Sequence, residues 1–217
     1  MDSNKVNWLE YWDQRGLSDV NKIANGRGSY PNEIYEEIYK DIINKLNINN
    51  LSSILDVGGG NGYFIKQIYK ECKPKNTHLL EQSINHVNKF QSWINDNNIT
   101  NIKVSQYILP SLPNNNEKYN KIMCGTTLGY LKDYTEIKEC IKKMYNILED
   151  NVDLLIFHHH QKSNDSVFTL NMEKILDLIK GMNFGSIIET SIGPFWGDGC
   201  CGKNEFSVLL KNKNGLR

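Results

Sequence analysis

Residues 54–64 read ILDVGGGNGYF, and the glycines at 58, 59, 60 and 62 govern how the rest of the chain is read. Glycine gives up more backbone freedom on folding than any other residue, so such a cluster needs a geometric reason. SSILDV (52–57) has the character of a short buried strand, and YFIKQIYKEC (63–72) that of an amphipathic helix closed by Lys-Pro-Lys at 73–75. The glycines therefore form a turn from strand to helix.

Outward from that turn the pattern alternates. THLLEQ (77–82), NIKVSQYIL (101–109), YNKIMCG (119–125) and VDLLIFH (152–158) are strand-like. INHVNKFQSWI (84–94), YTEIKECIKKMYNIL (134–148) and the run through Phe168, Met172, Ile175, Leu176 and Ile179 are helical. Upstream, Ile34, Tyr35, Ile38, Tyr39, Ile42, Ile43 and Leu46 recur at helical spacing behind Pro31. Two final strands, FGSIIETSI (184–192) and EFSVLLKN (205–212), have no helix between them, only GPFWGDGCCGKN (193–204). The expected fold is α/β: a doubly wound, mostly parallel seven-stranded sheet with a C-terminal antiparallel hairpin and an N-terminal helical extension. Residues 1–50 form the extension, and 51–217 one doubly wound domain.

Composition excludes several classes. Lys plus Arg and Asp plus Glu each number 25, so no field of one sign is available to hold a polyanion, which counts against a nucleic-acid binder. The polar start, MDSNKVNWLEYWDQRG, lacks an apolar core of signal-peptide length, and no apolar run approaches a membrane span. Five cysteines, odd in number and without a C-x-x-C pair, argue against a disulfide framework or a zinc ribbon; vicinal Cys200 and Cys201 read as passive thiols. A cytoplasmic protein is expected.

In open parallel sheets, ligands bind beyond the carboxyl ends of the strands. A P-loop needs Lys-Ser or Lys-Thr after its glycines, and none follows here; a nicotinamide fingerprint would need glycine where Tyr63 stands. What remains is Asp56-x-Gly58-x-Gly60-x-Gly62. Here the sequence resembles the class I S-adenosylmethionine-dependent methyltransferases, whose first motif is D-x-G-x-G-x-G after an apolar strand. YNKIMCGTTLGYLKD (119–133) resembles the fourth-strand motif of that family, and MYNILEDNVDLLIF (144–157) its fifth-strand segment.

The resemblance implies S-adenosylmethionine as cofactor and S-adenosylhomocysteine as product. Asp56, Gly58, Gly59, Gly60 and Gly62 would make room for the methionine portion. Glu81, 19 residues beyond Gly62, would accept hydrogen bonds from the ribose hydroxyls, with Gln82 beside it. ILPSLP (108–113) aligns Ile108 where the family carries an acidic residue on the adenine, so Ile108 and Leu109 would pack against the base. The resemblance also implies that 51–217 is a Rossmann-like domain and that the 1–50 extension, a helical lid, folds over the cofactor. Gly125 and Thr126 would complete the wall, Tyr11 would pack near the methionine end and Arg27 would pair with its carboxylate; the alternative for the lid aromatics is a docked helix that fills core.

Methyl transfer from a sulfonium asks the protein to align the acceptor and exclude water. His158 and His160 face one way at the end of the fifth strand and His159 the other, so His158 or His160 could act as base or orient the acceptor, with Tyr130 nearby. The alternative is hydrogen-bonded polar residues at a strand end. No carboxylate or cysteine is positioned beside them by sequence, so no metal site is expected. Trp196 could wall the acceptor side. The expected activity is methyl transfer to oxygen or nitrogen of a small molecule, such as a sugar or secondary metabolite. The alternatives are an RNA or protein methyltransferase, with the balanced charge counting against RNA and CGTT (124–127) in place of N-P-P-Y against adenine-N6 and glutamine methylation, and a non-catalytic cofactor-binding partner protein.

Overall fold

A computed structural model describes residues 7–18, 32–113, 117–159, 170–182, 184–193 and 205–212. Strand β1 (Ser53–Val57) is buried along its whole length, as the unbroken SILDV run requires of a strand covered on both faces. It pairs in parallel with β2 (Asn76–Glu81) on one side and β4 (Tyr119–Gly125) on the other. Beyond these, β3 (Ile102–Gln106) pairs with β2 and β5 (Leu148–His159) with β4, again in parallel. Strand β7 (Glu205–Asn212) runs antiparallel between β5 and β6 (Phe184–Gly193), completing seven strands in the order β3-β2-β1-β4-β5-β7-β6. The parallel part is thus five strands, not seven. The connection from β6 to β7 lies outside the described residues, and with it Trp196, Cys200 and Cys201; so do Arg27 and His160.

Alternation along the central strands separates two cores. On one face Ile54, Leu79 and Met123 meet α2 (Asn32–Leu46), α3 (Tyr63–Cys72) and α4 (Ile84–Asp96) through Ile38, Ile42, Ile65, Ile68 and Phe90. On the other, Leu55, Val57, Leu80, Ile122 and Cys124 meet α5 (Tyr134–Asn146) and α6 (Met172–Ile179) through Ile137, Ile141, Met144 and Ile175. Each fully buried aliphatic side chain contributes roughly 1.5–3 kcal/mol. Helix α2, which the sequence assigns to the extension, packs by this measure in the body of the domain. Lys45 of α2 also pairs with Asp41 at 2.9 Å and donates to Ser207 Oγ of β7 at 3.1 Å.

Between β3 and β4 the described residues contain no helix, and a polar chain fills part of that face. His78 Nδ1 lies 2.8 Å from the Tyr119 hydroxyl and Nε2 lies 2.9 Å from Ser105 Oγ. Tyr119 donates onward to Glu117 at 2.7 Å, and Lys103 also donates to Glu117, at 2.6 Å. Burial, then the charge of Lys103, pushes His78 down to about 4, so its ring is neutral at pH 7. Among the described residues no helix is long and apolar enough to cross a membrane.

Candidate functional site

The carboxyl ends of β1, β2 and β4 converge where β1 lies between its two neighbours. Leaving β1, Gly58 donates its N–H to Leu80 O at 2.8 Å, and the chain turns through positive φ at Gly58 (74°), Gly60 (58°) and Gly62 (73°). The space at Gly58 is closed to any side chain: a Cβ there would stand 2.1 Å from Thr127 Oγ1. At Gly59 a Cβ would meet Asp56 Oδ2 at 2.4 Å, and at Gly62 it would meet the ring of Phe90 at 2.3 Å.

Two buried carboxyl groups flank this turn. Glu81 Oε2 accepts the Gly60 N–H at 2.9 Å, and Oε1 accepts the Ser83 N–H at 2.8 Å. Both bonds hold the carboxylate from the protein side, leaving lone pairs for a ligand's hydroxyls. Asp56 is 4% exposed, and its carboxyl is pushed up to about 8, by burial first and by the negative charge of Glu81 second. Helix α3 begins at Gly62 with no side-chain cap, so its first N–H groups face the turn without a capping side chain.

On the β4 side, Gly125 ends the strand and Thr126 sits at φ 54°, a left-handed conformation that costs a β-branched residue about 1–3 kcal/mol. The Thr127 hydroxyl donates to Gly125 O at 2.9 Å and stands 3.4 Å from the carbonyls of Val57 and Gly58, bridging the β1 and β4 ends. Gln82 is half-buried, its carbonyl accepting from Gln106. Ile108 is exposed at 55%, while Leu109 packs against the core on the α5 side. Among the catalytic candidates, Tyr130 lies in a 3-10 turn (Leu128–Tyr130) with its ring 4.8 Å from Trp8 and 5.2 Å from Trp12. His158 and His159 end β5 opposite Phe206 and Glu205 of β7.

Trp8 and Trp12 belong to α1 (Trp8–Gly16), which reaches the turns after β2 and β4, the strands that flank β1. Asp13 accepts from Ser83 Oγ at 2.9 Å and from the Asn85 N–H at 3.1 Å; Asn85 Nδ2 returns a bond to Asp13 O at 3.0 Å, and Lys89 donates to Ser18 O at 2.6 Å. Tyr11 is exposed at 38%, with the Arg15 guanidinium 4.8 Å over its ring. Sequence reasoning missed Asp13, Ser83, His86 and Thr127. Ser83 carried a readable signal, a serine just before a helical run. Thr127 and Asp13 carried none, because each meets a partner about 70 positions away.

The sequence profile of the methyltransferase domain family matches residues 48–212, more than two thirds of the chain. The chain belongs to the class I S-adenosylmethionine-dependent methyltransferase family. None of the curated proteins matches it in sequence. Among solved structures, the methyltransferase resembles N-methyltransferase NodS from Bradyrhizobium japonicum WM9 in complex with S-adenosylhomocysteine, with TM-score 0.73 and 14% identity over 95% of this chain and 99% of that one. It also resembles magnesium protoporphyrin IX methyltransferase ChlM from Synechocystis PCC 6803 with bound S-adenosylmethionine, with TM-score 0.66 and 13% identity over 96% and 92%. The [4+2]-cyclase SpnF shares the fold as well, with TM-score 0.68 and 10% identity over 91% and 84%. At such identities the likeness is one of fold. The residues of this methyltransferase nevertheless suit its cofactor: a side-chain-free turn that a Cβ would fill, and a buried carboxylate held with lone pairs to spare.

Proposed function

We propose that the protein transfers the methyl group of S-adenosylmethionine to an oxygen or nitrogen atom of a small molecule, of the sugar or secondary-metabolite class. The observation that carries this reading is the pair of buried carboxyl groups, Asp56 and Glu81, on either side of the glycine turn. In this reading Glu81 takes the ribose hydroxyls, Asp56 faces the cationic methionine end, and the main chain from Gly58 to Gly62 lies against the nucleoside. Gln82, Ile108 and Leu109 border the adenine, and Gly125 and Thr126 line the opposite wall. The bound cofactor supplies a methyl group activated by its sulfonium; the protein aligns the acceptor and keeps water out.

Helix α1 acts as a lid, with Tyr11 near the methionine end and Arg27 on the carboxylate. Residues 1–50 form the N-terminal extension, whose first helix is the lid and whose second, α2, packs on the sheet of the 51–217 methyltransferase domain. His158, His160 and Tyr130 serve the acceptor, as base or as orienting groups. A small acceptor is supported by the balanced charge, which offers nothing to a polynucleotide, and by ChlM, whose name gives magnesium protoporphyrin IX. Calorimetric titration of S-adenosylhomocysteine tests the reading. Wild type should bind, Glu81→Ala should weaken binding by about 100-fold or more, and ATP should not compete. Undiminished affinity in Glu81→Ala would remove the pocket assignment.

A further inference from the structure

Among the described residues, three buried side-chain polar atoms lack a hydrogen-bond partner: Thr77 Oγ1 and both ring nitrogens of His86. A buried imidazole with neither nitrogen bonded calls for a specific explanation. The ring is 1% exposed, in the first turn of α4, whose cap Ser83 holds the His86 backbone N–H at 3.2 Å. Nδ1 stands 3.8 Å from Glu81 Oε1, beyond hydrogen-bond reach by about 0.6–1 Å. On its Cδ2 edge the ring meets α1: a Cβ on Gly16 would lie 3.1 Å from Cδ2 and 3.0 Å from Ser83 Oγ. The imidazole is thus wedged between the docked helix and the carboxylate read above as the ribose acceptor.

We infer that His86 is a positioning residue for Glu81: its Nδ1–H closes onto Glu81 Oε1 when the ribose engages that carboxylate through Oε2, and fixes its orientation. This rests on the ribose role proposed for Glu81. The chemistry favours it. Oε1 and Oε2 each spend one lone pair on a backbone N–H, so Oε1 keeps one for His86 and Oε2 keeps one for the ribose. Among the described residues, charged groups on the elements packed here include Asp56 on β1, Asp13 on α1 and Lys89 on α4; Lys89 is engaged with Ser18 O, and Asp13 with Ser83 and Asn85. His86 carries a ring nitrogen that faces Glu81 and has no hydrogen-bond partner among the described residues. Supporting groups of this kind typically change ligand affinity by about 10–100-fold.

The full chain, labelled with 15N-histidine, is examined by NMR with and without S-adenosylhomocysteine, beside calorimetry on variants. The Nδ1 signal of His86 should move to a hydrogen-bonded position when ligand is added. His86→Leu should weaken binding by about 10–100-fold while the unfolding temperature of the free protein holds or rises. His86→Asn, whose amide can donate from a similar place, should recover most of the loss. Wild type should also prefer the ligand over its 2′-deoxy analogue, and His86→Leu should narrow that preference. Unchanged affinity in His86→Leu, equal losses in the Leu and Asn variants, or a static Nδ1 signal would overturn the inference. Full affinity in Glu81→Gln, or no preference for the ribose hydroxyl in wild type, would instead overturn the ribose reading, and the role of His86 with it.

Discussion

Asp56 is penalised for carrying charge both by burial and by its neighbour Glu81, and with its carboxyl at about 8 it holds a proton at pH 7. A cationic ligand group beside it would reverse the second effect and draw the proton off. Binding S-adenosylmethionine near pH 7 should therefore release up to about one proton, and affinity should rise with pH until about 8 and then level. Calorimetry in buffers of different ionisation heats measures this directly, and Asp56→Asn should erase the buffer dependence. Equal heats in all buffers for wild type would show that the group does not face the cation. At Gly58 the expectation is steric. Gly58→Ala combines φ 74° with a contact 2.1 Å from Thr127 Oγ1 and should cost about 1–3 kcal/mol in urea unfolding. Adding Thr127→Ala should restore only part of that, because the backbone strain remains.

Elements repeat the contrast between local and distant causes. Helix α3 spans residues 63–72 and β4 residues 119–125, the ranges their periodicity implies, because a strand-end glycine and a Lys-Pro-Lys stop are local signals. The glycine turn was legible for the same reason: an acidic residue and alternating glycines lie within seven positions. The clasp between α1 and α4 was not, since nothing near Asp13 announces that it will meet Ser83 and Asn85. That clasp is a charged acceptor at a helix N-terminus, a setting where each hydrogen bond contributes about 1.5–3 kcal/mol. Asp13→Ala should release α1 without unfolding the sheet. Hydrogen exchange across residues 8–16 should accelerate about tenfold or more, while exchange in β1 and β4 stays slow. Equal acceleration everywhere would mean that α1 is integral to the core.

For the molecule as a whole, two buried titrations oppose one another. His78, held at about 4 in the native state, takes up a proton more readily once unfolded, so its contribution to stability is lost as pH falls from about 6.5 to 4. Asp56, held at about 8, favours the folded state while protonated, and that contribution is lost as pH rises from about 4 to 8. Between pH 4 and 6.5 the two slopes cancel. Asp56→Asn should then expose stability that climbs with pH across that window, and His78→Gln stability that declines from pH 4 to 8. Urea midpoints at four pH values for the three proteins would show it; parallel curves would refute it. Neither group was legible as a titrating pair, because burial depth is a property of the finished sheet and not of the residues around each one.

Strand order has a last consequence. The backbone completes β1, β2 and β3 before it crosses to β4, so one half of the sheet is finished by residue 106 and the other begins at 119. Severed in that interval, the protein would become two fragments meeting along the β1–β4 seam, and at the site proposed for it the adenosyl compound would serve as the rivet between them.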